Sequence, residues 1–256
     1  MTKFQSKSDT LYDRVRSDIL SLALGPDTPL RLSALSESYG IGVTPLRECL
    51  NRLASEQLVV PEHNKGFRVA PLTRAELLDL EQSRNAIEGA MFASAVASAD
   101  DTWEAGVVGT FHQLSKTAIP STSLNEDELQ LWARRHNAFH MALVAGSPSH
   151  WMHRFSEQLG DQLGRYRVFI QSGLRELALI APQTAKDAAE IFATAMALDP
   201  HRALYDAALA RDPEAALAAF NAHTGLTIAA FEGLSALVPA ESALATTLGP
   251  QSETPK

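Results

Sequence analysis

Apolar residues recur at helical spacing at the start of the chain, and the period then changes. The first predicted helix begins near Asp9 and carries an apolar stripe formed by Leu11, Val15, Ile19 and Leu22. A short second helix is predicted over 30–40 and a third over 41–57. Within 58–72, the β-type runs LVV and FRVA flank the turn HNKG. Three short helices followed by a hairpin are typical of a winged helix-turn-helix.

The third helix has two chemically different faces. Its apolar face is formed by Leu46, Cys49, Leu50 and Leu53. Its polar face carries Thr44, Arg47 and Asn51, which fit a helix that enters a DNA major groove. We expect Thr44 to be the N-cap and Pro45 to lie in the first turn. The alternative is a small structural bundle in which Arg47 is merely solvated.

Helical periodicity continues after Thr73 with no further strand signal. Helices are predicted over 74–99, 101–117, 125–145, 149–172, 183–197, 200–210 and 213–235. The predicted fold class is therefore mainly α, with an N-terminal winged helix-turn-helix over 9–72 and an all-α bundle over 73–235. The Pro/Ser/Thr-rich segment 236–256 is expected to be disordered.

Composition and charge narrow the function classes. The net charge is −8, but residues 1–71 carry 9 basic and 8 acidic residues, so the acidity belongs to the C-terminal part. The N-terminal part can therefore approach DNA phosphates. A single cysteine excludes an internal disulfide, and no signal peptide or membrane-spanning run is found. We expect a cytoplasmic protein that does not enter membranes.

Four of the eight histidines form a candidate metal site. His136 and His140 lie four residues apart and share a helix face. His201 and His223 lie ten residues on either side of the Arg211–Pro213 break, so an antiparallel helical hairpin places them at the same height. If the two pairs face each other, four imidazoles converge.

The histidines have competing interpretations. A zinc hydrolase helix reads HExxH, but here Asn137 follows His136, so the catalytic base is missing and a metal-dependent hydrolase is only the alternative. Each histidine taken alone favours an ordinary structural role. His150 and His153 have no supporting spacing and are interpreted as structural.

Residues 11–72 resemble the DNA-binding domain of the GntR family. The matching stretch is GIGVTPLRECLNRLASEQLVVPEHNKGFRVAPL. The chain departs from the family pattern at Gly42, where serine is usual, and at Val43, where arginine is usual. The resemblance implies DNA contacts from Thr44, Arg47, Asn51, Lys65 and Gly66.

Residues 74–234 resemble the FCD effector domain of the FadR branch. The resemblance rests on Arg84 and Glu88 in the first helix, on FH at 139–140, and on the His201–His223 hairpin. In many members, an aspartate and three histidines hold a divalent metal. Carried over, the ligands are His140, His201 and His223, and His136 stands at the aspartate position.

The resemblance implies a bacterial transcriptional regulator rather than an enzyme, either a repressor or an activator, of which a repressor is favoured. Such proteins form homodimers, bind pseudo-palindromic double-stranded operators, and respond to a small organic or sugar acid. A ligand set made only of histidines favours Zn²⁺, Ni²⁺ or Cu²⁺ over Mn²⁺, with Zn²⁺ or Ni²⁺ expected first. If His136 instead swings away, the metal is weakly held or absent.

Two arginines are candidates for the effector carboxylate. Arg84 either pairs with Glu88 one turn later or binds the effector as a bidentate donor. Arg165 is a further candidate for effector binding. The segment 172–200 contains an extended helix that lines either the pocket or the dimer interface.

Overall fold

The computed structural model describes residues 7–62, 66–98, 100–119 and 126–237. The chain divides into two compact units. The first comprises residues 1–73 together with 161–169, and the second comprises 74–160 and 170–256. Sequence patterns predicted a boundary near Thr73, but they gave no sign that a short stretch of a later helix groups with the first unit.

The first unit contains three helices and a three-stranded antiparallel sheet. Its elements are α1 (Lys7–Leu20), β1 (Pro29–Leu30), α2 (Leu32–Tyr39), α3 (Val43–Ser55), β2 (Val59–Glu62) and β3 (Gly66–Val69). The strand order is β1-β3-β2. Strand β1 was not predicted, because two residues are too short to show an alternating pattern.

The core of the first unit follows the predicted apolar stripes. Val15 and Ile19 of α1 are fully buried in a cluster that also contains the apolar face of α3 and Phe67 and Val69 of β3. Helix α2 ends at Gly40, whose φ of 65° is the left-handed conformation that glycine adopts readily. The three helices and the hairpin therefore share one small core.

Residues 161–169 are attached to this unit by polar contacts. Arg16 forms ion pairs with Asp161 and with Glu56. The Gln162 side chain donates to the backbone oxygen of Glu56 at 2.9 Å. Residues 161 and 162 lie 100 or more residues away from these partners in the sequence, which is why periodicity could not predict the attachment.

The second unit is all-helical in its described residues. Its helices are α4 (Arg74–Ser98), α5 (Asp101–Ser115), α6 (Glu126–Val144), α7 (His150–Ile180, without 161–169), α8 (Pro182–Ala195), α9 (Leu198–Ala210) and α10 (Pro213–Leu237). Helix α4 packs against α10, and α5 packs against α6 and α9. The predicted all-α architecture is confirmed.

The segment 172–200 belongs mostly to long helices. Helix α7 continues to Ile180, eight residues beyond its predicted end, and α8 follows after Ala181. Helix α8 packs against α10, where Ile191 lies close to Gly233. Residues 238–256, most of the predicted tail, lie outside the described part of the chain.

Candidate functional site

Helix α3 presents a polar surface to solvent. Leu46, Cys49, Leu50 and Leu53 are at most 1% exposed, as the helical wheel predicted. Thr44, Arg47 and Asn51 are all exposed. The predicted N-cap is wrong, because α3 begins at Val43, and its N-cap is Gly42 in an extended conformation without a side-chain cap. The helix starts earlier than a Thr44 cap would allow.

The wing is the β2–β3 hairpin. Glu62 pairs with Gly66 at its end, and Gly66 has a φ of 100°, which L-residues rarely adopt. Arg68 of β3 forms an ion pair with Glu62 at 3.1 Å, which fastens the two strands of the hairpin together. The other predicted DNA contact, Lys65, lies outside the described residues.

Four histidines converge in the core of the second unit. His136 and His140 come from α6, His201 from α9 and His223 from α10, and none is more than 3% exposed. One ring nitrogen from each lies within 4.8 Å of the others. The ring centroids of His201 and His223 are 4.7 Å apart, so the predicted same-level pair is confirmed.

The α9–α10 turn explains this alignment. Arg211 ends α9 in the left-handed conformation, with a φ of 54°. The Asp212 carboxylate accepts hydrogen bonds from the backbone N–H groups of Glu214 and Ala215, and Pro213 occupies the first position of α10. The break predicted from the sequence is therefore a tight helical hairpin, and equal offsets bring its two histidines together.

Three of the four histidines are held in their neutral forms, because each has a lowered pKa. Burial, together with His136, Arg84 and the other two histidines, holds the pKa of His140 well below its usual value. Burial, with His201 and Arg84, does the same for the pKa of His223. Burial outweighs a backbone hydrogen bond and lowers the pKa of His201 to about 4. Neutral imidazole is the form that ligates a metal.

The nitrogens that face the cluster suit a metal. His201 Nδ1 donates to the backbone oxygen of Ala197 at 2.6 Å, so its Nε2 carries a lone pair. Among the described residues, His201 Nε2, His140 Nε2 and His223 Nδ1 have no hydrogen-bond partner although they are buried. Buried polar atoms without partners are costly. A shared cation would satisfy all three, provided that His140 carries its ring proton on Nδ1 when the cation is bound.

The spacing of the four rings is compatible with tetrahedral coordination. Nitrogens bound to zinc lie about 2.0–2.1 Å from the ion, which places them about 3.4 Å apart. The longest separation in the cluster would need to shorten by no more than about 1.4 Å. The residues present therefore fit a divalent metal with nitrogen ligands.

A buried charge network adjoins the histidines. Arg84 donates to Glu88 at 2.8 Å, and its guanidinium also lies 3.8 Å from Glu81. Ser156 donates to the second oxygen of Glu88 at 2.8 Å. Burial lowers the pKa of Arg84, but Glu88 and Glu81 outweigh this effect and keep it raised. The predicted Arg84–Glu88 bridge is confirmed, and it is buried rather than solvated.

Arg84 also contacts the histidine cluster directly. Its NH2 group lies 3.1 Å from His140 Nδ1. Because a guanidinium only donates hydrogen bonds, His140 Nδ1 accepts this bond and the ring proton of neutral His140 lies on Nε2. Sequence reasoning named Arg84, but it missed this contact and the contributions of Glu81 and Ser156. The i, i+3 spacing from Glu81 to Arg84 was an available signal, whereas Ser156 had none.

Comparison with known proteins supplies the family. Residues 7–69 match the bacterial regulatory proteins of the gntR family, and residues 79–226 match the FCD domain. The chain belongs to the GntR family of transcriptional regulators, with an FCD domain. It is 35% identical to the HTH-type transcriptional repressor GlaR of Escherichia coli K12 over 78% of this chain and 84% of GlaR.

A second relative and a solved structure are also similar to this GntR-family regulator. It is 30% identical to the HTH-type transcriptional regulator BphR of Paraburkholderia xenovorans, over 82% of this chain and 79% of BphR. The structure of E. coli McbR/YncC matches with a TM-score of 0.61 at 20% identity, covering 88% of this chain and 97% of that chain. That likeness shows the fold alone.

Membership in the family decides between the two function classes left open by the sequence. The GntR-family regulator is not an enzyme, and the hydrolase alternative has no support. No helix in the described part of the chain has the length and apolarity needed to cross a membrane.

Two further predictions concern residues of this regulator outside the cluster. Arg165 is fully buried in the first unit, where it donates to Gln162 at 3.0 Å and to the backbone oxygen of Ala70. These hydrogen bonds stabilise the unit, and an effector contact from Arg165 stays a prediction. His153 bonds to the Ser147 backbone oxygen at 2.9 Å, in line with the structural role expected for it.

Proposed function

We propose that this GntR-family regulator is an effector-responsive repressor whose helical domain binds a divalent metal and a small organic or sugar acid. It acts as a homodimer on a pseudo-palindromic double-stranded operator. The observation that carries the proposal is the buried four-histidine cluster with the Arg84 guanidinium against one of its rings. The name of GlaR, a repressor, supports the direction of control.

The proposed DNA contacts rest on the exposed face of α3. Thr44, Arg47 and Asn51 are accessible to a major groove, and Arg47 is the group best suited to bidentate contact with a guanine or a phosphate. Gly66 and Lys65 bring the wing to the adjacent backbone. Two copies of the chain would place two such helices on the two halves of one operator.

The proposed metal site rests on the donor chemistry of the cluster. Four neutral imidazoles and no carboxylate in the ligand set favour Zn²⁺ or Ni²⁺ over Mn²⁺. His136 stands at the position where the FCD domains that this chain resembles have aspartate. Its ring centroid lies 4.5 Å from that of His140 and 4.9 Å from that of His201. This position supports His136 as the fourth ligand rather than as a residue turned away.

The proposed effector site rests on Arg84. If His140 offers Nε2 to the metal, its ring proton moves to Nδ1, and this nitrogen no longer accepts from Arg84. The Arg84 NH2 group then becomes available for a carboxylate beside the metal, while Glu88 still holds Nε of the guanidinium. Metal and effector binding would thus be cooperative, and the effector would shift DNA affinity by favouring one of two dimer arrangements.

A thermal-shift screen tests this proposal most broadly. The metal-free protein, with and without Zn²⁺ or Ni²⁺, is screened against organic and sugar acids. If an acid stabilises the protein only when metal is present, the result supports cooperative binding of metal and effector. Equal stabilisation with and without metal contradicts the linkage, and no response to any metal contradicts the metal site.

A further inference from the structure

Val43 is an exposed apolar residue at the start of the proposed recognition helix α3. Its side chain is 46% exposed, whereas Leu46, one turn further along, is fully buried. Thr44 and Arg47, which follow it on the accessible surface of the helix, are polar. Val43 therefore lies outside the core of the first unit, among the residues that face solvent.

Neither helix formation nor packing accounts for a valine here. The N-cap is Gly42, and no side chain caps the helix. A β-branched side chain has a lower helix propensity than alanine, so Val43 does not favour the first turn by itself. Its exposed apolar surface is therefore accessible to a partner molecule outside the folded chain.

The position of Val43 on the helix indicates that partner. Val43, Arg47 and Asn51 are spaced four residues apart, so they form one row along the accessible side of α3. The N-terminal residues of a recognition helix are the ones that contact base edges in the major groove. Val43 is the first residue of this helix and thus occupies a base-reading position.

The chemistry of the Val43 side chain limits which group of a base pair it can contact. Valine has no hydrogen-bond donor or acceptor in its side chain, and the C5 methyl of thymine is the apolar group that a base pair presents in the major groove. We propose that Val43 contacts a thymine methyl in each operator half-site and so specifies an A·T pair there. This inference rests on the proposed operator binding and adds a specificity residue to it.

Deoxyuridine substitution tests the contact, because it removes only the methyl group. The full-length protein first selects duplexes from a random library at fixed salt, and each thymine of the selected half-site is then replaced by deoxyuridine. At one position we expect wild-type binding to weaken about fourfold, the value of one buried methylene-sized group. Val43→Ala should lose this sensitivity and Val43→Ile should keep it.

The control is Val108→Ala in α5, since Val108 is 40% exposed but lies in the helical unit. It should behave as wild type does. The Val43 contact is overturned if no deoxyuridine substitution weakens wild-type binding, or if the substitution weakens Val43→Ala equally. A library that yields no enriched sequence would instead overturn operator binding itself. The failure of the Val43 contact can therefore be distinguished from the failure of the proposed function. As a converse test, Val43→Arg should prefer guanine at the same position.

Discussion

The NH2 group of Arg84 lies 3.1 Å from Nδ1 of His140, so a permanently charged donor occupies one side of a candidate metal ligand. The same guanidinium is bonded to Glu88 on α4 and lies over Phe220, 5.6 Å from the ring centroid. Arg84 therefore connects the histidine cluster to a buried carboxylate. Because His140 Nδ1 accepts from Arg84 only while it is unprotonated, protonation of this nitrogen would change the hydrogen bonding of Arg84.

Removing Arg84 should strongly destabilise the second unit. Arg84→Ala leaves Glu88 and Glu81 buried without their cation, which costs about 3–5 kcal/mol of unfolding free energy. The matched control is Arg74→Ala, whose ion pair with Glu232 is largely exposed and should contribute no more than about 1 kcal/mol. Denaturant unfolding of the metal-free variants measures both, and equal losses of stability would contradict the buried network.

Conservative replacement of Arg84 separates effector binding from stability. Arg84→Lys keeps the positive charge near Glu88 but lacks the planar fork that binds a carboxylate in two places. We expect an acid found by thermal-shift screening to bind this variant at least about tenfold more weakly by calorimetry. Unchanged affinity would show that Arg84 does not contact the effector.

His201→Ala should abolish stabilisation by metal. At a metal concentration about one hundred times the dissociation constant, a bound ion adds about 2.7 kcal/mol to the unfolding free energy. Zn²⁺ should therefore raise the melting temperature of the wild type by about 5–10 °C. The control His153→Ala, whose ring lies outside the cluster, should keep this rise. A rise that persists in His201→Ala would place the metal elsewhere.

The metal-free protein should lose stability as the pH falls below about 6.5. Burial lowers the pKa of His201 from 6.5 to about 4, so between these values the unfolded chain binds a proton that the folded chain does not. This stability is complete above pH 6.5 and declines towards pH 4, by roughly 3 kcal/mol for His201 alone.

Chemical denaturation at about pH 7.5 and about pH 5, with chelator present, measures this effect of the His201 pKa. His201→Gln removes the titrating group, so its stability should fall less over the same interval. The depressed pKa of His201 is contradicted if the two proteins show the same pH dependence.

Much of the architecture could be predicted from periodicity. The apolar face of α3 and the all-helical second unit follow from local patterns, and so does the His201–His223 alignment, because a hairpin needs only equal offsets from its turn. The site elements missed by sequence reasoning are those made by residues far apart in the chain. Ser156 bonds to Glu88 from 68 residues away, and no local pattern reports that distance.

Two helix ends also differ from their predicted positions. The sequence favoured Thr44 as the N-cap because threonine caps well, yet the backbone places Gly42 there and exposes Val43 in the first turn. Helix α7 continues past its predicted end because Leu174 and Leu177 are buried in the second unit. At the end of α7, tertiary packing therefore outweighs single-residue propensities.

Arg47→Ala should abolish operator binding while leaving the fold intact. Arg47 is exposed and makes no contribution to the core of the first unit, so its replacement affects DNA binding alone. Because a dimer uses Arg47 in both half-sites, affinity for a selected duplex should fall at least about 100-fold. Arg134→Ala, which replaces an exposed arginine of α6, is the control. Undiminished binding in a gel-shift assay would refute the role of Arg47.

Native mass spectrometry of the full-length protein tests most directly whether the four buried histidines bind a divalent metal. Protein purified without chelator should carry one Zn²⁺ or Ni²⁺ per chain. The ion should be absent from His201→Ala and retained in His153→Ala. A metal-free wild type that neither takes up Zn²⁺ or Ni²⁺ nor changes its DNA binding on EDTA treatment would contradict the claim.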